Sequence, residues 1–223
     1  MFPLRDTQRS YSKPVVTVTI IVINILIFLY EFSLNDYQLN ALISKYGLVP
    51  DRFNWESVFT SMFLHGGWLH VLGNMWFLWI FGDNIEDILG HAKFLGFYLL
   101  CGLAAAMLQV YFNYDSRVPM IGASGAIAGV MGAYMVKFPR ARILTLVFIL
   151  FFITTFEVPA WLMLIYWFLL QVFGGFDAIT ASAYSQGGGT AFFAHVGGFI
   201  AGMILIYALG TRDRYYRRRD LYW

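Results

Sequence analysis

The chain has 223 residues, 59% of them hydrophobic and only 13% charged. A water-soluble domain carries about twice that charged fraction, so these side chains cannot clothe a surface facing water, and lipid must cover it instead. A net charge of +2 argues against a nucleic-acid binder, and a single cysteine, Cys101, excludes an intrachain disulfide.

Residues 1–13 are polar and basic and are expected, with residues 211–223, to form short cytoplasmic tails. Residues 15–32 are a nearly unbroken run of Val, Ile, Leu and Phe, long enough to cross a hydrocarbon core of ~30 Å. No small-x-small cleavage site follows, so the run reads as a retained first span. Residues 33–67 mix Asp36, Lys45, Asp51, Arg52 and Glu56 with many aromatics. That stretch is too polar to span and too apolar to float free, and is expected at the interface. Residues 68–81 are a second span, ended by Gly82-Asp83-Asn84. Residues 93–111 are a third, with Gly96, Gly102 and Ala104-Ala105-Ala106 offering close helix contact. Residues 121–138, rich in Gly and Ala, are a fourth, and residues 191–209 are the last.

Residues 143–175 form an apolar stretch whose only charge is Glu157, with Pro159 two positions later. They have material for one crossing or two. With the N-terminus inside and six spans, the cytoplasmic segments collect nearly all the Lys and Arg, and the outer ones keep only Lys45, Arg52 and Arg117. The positive-inside rule therefore favours one crossing, over residues 159–173, with 143–157 a hairpin or re-entrant piece near the cytoplasmic face. No repeat and no linker divides the chain. The expectation is a single all-α membrane domain over residues 1–223, a six-helix bundle with a partly embedded first loop.

Polar residues inside spans are costly and read as functional. The set is His70 and Asn74 in the second span, Ser124 at the start of the fourth and His195 at the start of the sixth, with Gln109 and Asn24 as weaker members. Gly122 and Gly125 clear bulk from around the Ser124 hydroxyl. Gly125 and Gly129 give the fourth helix a narrow face, and Gly198 and Gly202 give the sixth another, with His195 one turn before Gly198. Pressing those faces together brings His195 towards Ser124, where a neutral imidazole can take the hydroxyl proton. His70 and Asn74, four apart, share a helix face. With the Ser124 backbone N–H they are candidate donors to the oxyanion of an acyl-transfer intermediate. No carboxylate lies in the fourth or sixth span, so a Ser–His dyad without an acid is expected. Neither a metal nor a cofactor is called for.

Together these residues resemble the rhomboid family of intramembrane serine proteases. The matching pieces are His70-x-x-x-Asn74, Gly122-Ala123-Ser124-Gly125, and Ala194-His195-x-x-Gly198 with Gly202. Phe63-Leu64-His65-Gly66-Gly67-Trp68 and Phe81-Gly82-Asp83-Asn84-Ile85-Glu86 are also similar to those of bacterial members. The resemblance runs from about residue 55 to residue 202. It implies Ser124 as nucleophile, His195 as general base, and His70, Asn74 and the Ser124 N–H as oxyanion donors. It also implies a structural hydrogen-bonding role for His65, and a substrate gate over about 159–190, to which Gly187-Gly188-Gly189 gives freedom. The implied partners are transmembrane protein substrates and the bilayer. The implied setting is a bacterial inner membrane, with both termini cytoplasmic and the active site open to the other side. Many members carry Tyr one turn after the serine, where this chain has Ala128. Phe192, Phe193 or Tyr134 then supports His195, or the imidazole is held less rigidly. Trp55 is followed by Glu56, not by the Arg common in the first loop.

Three rival readings are weaker. An inactive, client-binding relative would typically lack the serine or the histidine. A transporter would show duplication or paired broken helices. A metal site on His65, His70 and His195 would need ligands better arranged than these.

Overall fold

The computed structural model describes residues 2–149, 152–181 and 191–210, and the chain is mostly helical. In chain order the helices are α1 (Val15–Ser33), α2 (Asp36–Tyr46), α3 (Trp55–Thr60), α4 (Trp68–Leu89), α5 (His91–Phe112), α6 (Ser124–Lys137), α7 (Ala160–Ala181) and α8 (Phe192–Ala208). Helices α1 and α4–α8 coincide with the apolar runs; α2 and α3 occupy the mixed stretch between α1 and α4. By length and composition, α1 and α5 are long and apolar enough to cross a membrane, and α7 and α8 contain shorter apolar stretches. Large apolar side chains point outwards, Leu69 being 90% and Ile204 63% exposed, as lipid-facing surfaces require.

The expectation of an all-α chain does not hold. Strand β1 (Phe2–Asp6) lies within the supposed N-terminal tail, and β2 (Arg142–Ile149) and β3 (Phe152–Pro159) form an antiparallel hairpin, giving the order β1-β2-β3. Residues 142–159 are dense in Ile, Val, Thr and Phe, whose branched and aromatic side chains suit a pleated surface. Pairing also satisfies the backbone where water is scarce. The hairpin alternative for 143–157 was thus the apt one. The sheet stands between two helices. On one side the Trp76 indole N–H of α4 donates to the Pro3 carbonyl at 2.7 Å. On the other, the buried Thr145 hydroxyl meets the Met163 sulfur of α7 at 4.0 Å. Helix α7 continues to Ala181, beyond residue 173, where the crossing was expected to end. The Gly187-Gly188-Gly189 stretch and the tail 211–223 lie outside the described residues.

Helix α4 continues past Gly82-Asp83-Asn84 to Leu89, and its polar end holds the start of α1. Pro14 offers no side-chain cap. Instead the fully buried Glu86 carboxylate accepts the N–H groups of Val16 and Thr17, both at 2.8 Å, and the Thr17 hydroxyl at 2.7 Å. A negative charge at a helix N-terminus satisfies orphan donors and complements the helix dipole. Asp87 does the same for the approach segment, accepting the N–H of Tyr11 and of Ser12. Glu86→Ala strands these donors in the interior and is expected to cost about 3 kcal/mol of stability, read as a lowered midpoint of thermal unfolding in detergent. Glu86→Gln, which keeps an acceptor, should lose less.

At the same end Tyr134 of α6 donates its hydroxyl to the Asp6 carboxylate of β1 at 2.6 Å. Burial pushes the Asp6 carboxyl up to about 7, with the nearby Asp83 charge adding to the rise. The folded state therefore favours protonated Asp6. Its stabilising contribution is complete below the unfolded value of 3.8 and is lost as pH rises through about 7. Melting temperature should fall between pH 5 and 8 in the wild type, with a flatter profile in Asp6→Asn.

The centre of the bundle is a junction of α5, α6 and α8. A Cβ added at Gly198 would run into the Gly125 carbonyl, and one at Gly202 into the Gly129 carbonyl. A Cβ at Gly129 would also strike Cys101 of α5, and one at Gly125 would come within 2.6 Å of the Ala105 methyl. Gly96, expected among the contact residues of α5, has nothing within 4 Å of the corresponding point; the packing glycine of that helix is Gly102.

Candidate active site

The glycine contact fixes the depth of α8 against α6. Ser124 is the first residue of α6 and His195 the fourth of α8. The start of α8 is pinned from α5, where the Gln109 side-chain oxygen accepts the Ala194 N–H at 3.1 Å. Before Ser124 the chain turns at Gly122, with φ of 124°, a conformation open to glycine, and the Gly122 N–H is tied to the Ser61 carbonyl at 2.8 Å. With both starts fixed, His195 Nε2 lies 2.7 Å from Ser124 Oγ.

His70 and Asn74 approach from α4. The Gly66 N–H donates to His70 Nδ1 at 3.3 Å. That nitrogen therefore carries no proton, and the imidazole N–H is at Nε2. A Cβ at Gly122 would stand 2.7 Å from that Nε2 and 3.7 Å from the Asn74 amide nitrogen. Both donors thus overhang the turn into Ser124. The Asn74 amide nitrogen is buried and has no acceptor among the described residues, which is costly unless an occupant supplies one. These groups line a cleft of about 680 Å³, bordered by His70, Asn74 and Phe77 on α4, residues 118–121, Ser124, Trp167 on α7, and His195.

A family model described as the Rhomboid domain matches residues 52–212. The chain belongs to the rhomboid family. Its members are integral membrane proteins. This rhomboid is similar to the mitochondrial rhomboid protein 1 of Saccharomyces cerevisiae, 34% identical over 96 residues, 41% of this chain and 28% of the relative. It is similar to the rhomboid protease GluP of Bacillus subtilis, 34% identical over 128 residues, 56% of this chain and 25% of the relative. The rhomboid protease AarA of Providencia stuartii is 29% identical over 162 residues, 61% of this chain and 57% of the relative. This rhomboid therefore spans from about a quarter to a little over half the length of these curated relatives.

Several details of this rhomboid differ from expectation. Among the described residues, none of the three aromatics named for the missing Tyr makes a ring contact with the histidine. Phe193 stacks on Phe112, with ring centroids 4.4 Å apart, Tyr134 packs against Phe81 near Asp6, and no ring contact joins Phe192 to His195 among the described residues. The neighbouring ring is Trp167 of α7, 5.6 Å away and inclined by 41°. The imidazole is also anchored: His195 Nδ1 lies 2.7 Å from Gln171 Oε1, so the Ser124–His195 pair has an amide beside it. Gln171 interrupts an apolar span as His70 and Asn74 do, and the same rule of intramembrane polarity would have found it. His65 ties the loop to α1 through its backbone N–H, which meets the Glu31 carboxylate at 3.2 Å, while its ring packs edge-on against His70 at 5.1 Å. Asn24 donates back to its own helix, to the Ile20 carbonyl at 2.8 Å.

Proposed function

We propose that this rhomboid is an intramembrane serine endopeptidase that cleaves transmembrane segments of other membrane proteins through an acyl-enzyme. The observation that carries the reading is the 2.7 Å approach of the Ser124 hydroxyl to His195 Nε2, at a cleft where the Asn74 amide lacks an acceptor. His195 takes the hydroxyl proton as Ser124 attacks the substrate carbonyl. The oxygen that becomes negative is met by Asn74, His70 and the Ser124 N–H, whose value lies in being oriented before the charge appears. His195 then passes the proton to the leaving amine, and water hydrolyses the ester. A helical peptide bond is shielded, so the substrate must unwind at the cleft, and helix-breaking residues near the cut favour cleavage.

The six apolar helices are six crossings of one domain in this reading. The charge asymmetry supports cytoplasmic termini, with the cleft near the opposite face. A bacterial inner membrane is the proposed setting, although relatives include mitochondrial proteins. The test is a fluorophosphonate probe on detergent-purified protein, with the adduct mapped by mass spectrometry. Labelling at Ser124 that also requires His195 supports the protease. Folded protein that fails to label there returns the chain to the alternative, an inactive client-binding rhomboid.

A further inference from the structure

Three interactions around His195 share one direction. The Gln171 amide nitrogen faces the Trp167 carbonyl at 3.4 Å, one turn earlier on α7. A carbonyl only accepts, so the NH2 end of the amide belongs there and Oε1 is left facing His195 at 2.7 Å. That oxygen also only accepts, so the proton of a neutral imidazole sits on Nδ1. Nε2 is then bare, and it is the atom 2.7 Å from the Ser124 hydroxyl. The other tautomer would present an N–H to Ser124 and could not take its proton.

We infer that Gln171 is a positioning residue for the reaction, selecting from α7 the His195 tautomer whose bare Nε2 receives the Ser124 proton. Its catalytic consequence rests on the protease reading; the tautomer assignment does not. An acidic third member would orient the histidine and also stabilise its cation. A neutral amide supplies the orientation alone. Trp167 belongs to the same device twice, since its carbonyl orients the amide and its ring flanks the imidazole. Both come from a helix that borders the cleft.

The test compares wild type with Gln171→Met, which keeps length but removes the acceptor, and Gln171→Glu, which restores one. The first measurement is the rate of fluorophosphonate labelling at Ser124. The second is nitrogen-15 NMR of protein labelled at its four histidines, with the His195 signals assigned by difference against His195→Ala. Expected are a fall of about 10- to 100-fold in labelling rate for Gln171→Met, recovery towards wild type in Gln171→Glu, and unchanged melting temperatures. The Nδ1–H tautomer should dominate in wild type and give way to a mixture in Gln171→Met. Wild-type labelling in Gln171→Met with its tautomer intact overturns the inference. So does an equal slowing of both variants with no tautomer change, which is the mark of a merely structural side chain. A wild type whose His195 follows Gln171 while Ser124 stays unlabelled overturns the protease reading and leaves the tautomer assignment standing.

Discussion

Ser124→Ala and His195→Ala are each expected to lower the rate of substrate cleavage by roughly 10⁴-fold or more, the scale on which hydrolases lose activity without nucleophile or base. Neither replacement should unfold the protein. Ser124 and His195 bond to each other at 2.7 Å, but the helices that carry them are joined by the glycine contacts below, which both variants leave untouched. The measurement is co-expression with tagged single-span proteins, scored for cleavage, with melting temperature in detergent as the control for folding. The double variant should be no worse than either single one, because two residues acting on one proton fail together. A His195→Ala protein that cleaves at more than about a hundredth of the wild-type rate would mean another base, and the assignment would fall.

Gly202→Val is expected to be the most damaging single change to the fold. The added Cβ meets the Gly129 carbonyl, its carbon and its Cα, all backbone. A side chain can rotate away from a clash, whereas a helix must move as a body, so the cost should reach at least ~3 kcal/mol. The same displacement would draw His195 from Ser124, and activity should vanish with stability. Gly96→Ala is the matching control. Nothing stands within 4 Å of its Cβ position, and alanine is the better helix former by about 1 kcal/mol, so that variant should melt at or slightly above the wild type. Purified yield and unfolding midpoint of the two proteins, measured side by side, decide the matter.

The places of the long helices were legible because apolar runs of that length have few other uses. Ser124 and His195 were legible for a different reason: each stands at the head of a small-residue stripe, and stripes of that kind meet. The strands were harder to see. Residues 142–159 are apolar on both alternations, and a run without periodicity reads equally as buried helix or strand. Strand β1 was hidden because its partner, β2, lies about 140 residues away in sequence. Glu86 could be matched to a motif, yet its task as the cap of α1 needs the two helix ends side by side. Gln171 was legible as a polar residue inside an apolar span, but its partner was not, because the imidazole it meets lies on another helix, α8. Gly96 shows the converse failure, for composition names small residues without telling which of them face a neighbour.

The way α7 is fastened has a bearing on how Ser124 and His195 stay in register. Its first amide, at Ala160, is bonded to the Ala141 carbonyl at 2.8 Å, and Ala160 and Leu164 are sealed in the interior. Eleven residues further on, Gln171 grips the imidazole. Phe168 also stacks on Phe199 of α8, with ring centroids 4.8 Å apart, and at 1.5 Å per residue a tilt of only ~10° about the first turn would carry Gln171 roughly 3 Å sideways. A hydrogen bond does not survive that excursion. The packing that keeps α7 upright therefore also keeps the imidazole in the grasp of its amide.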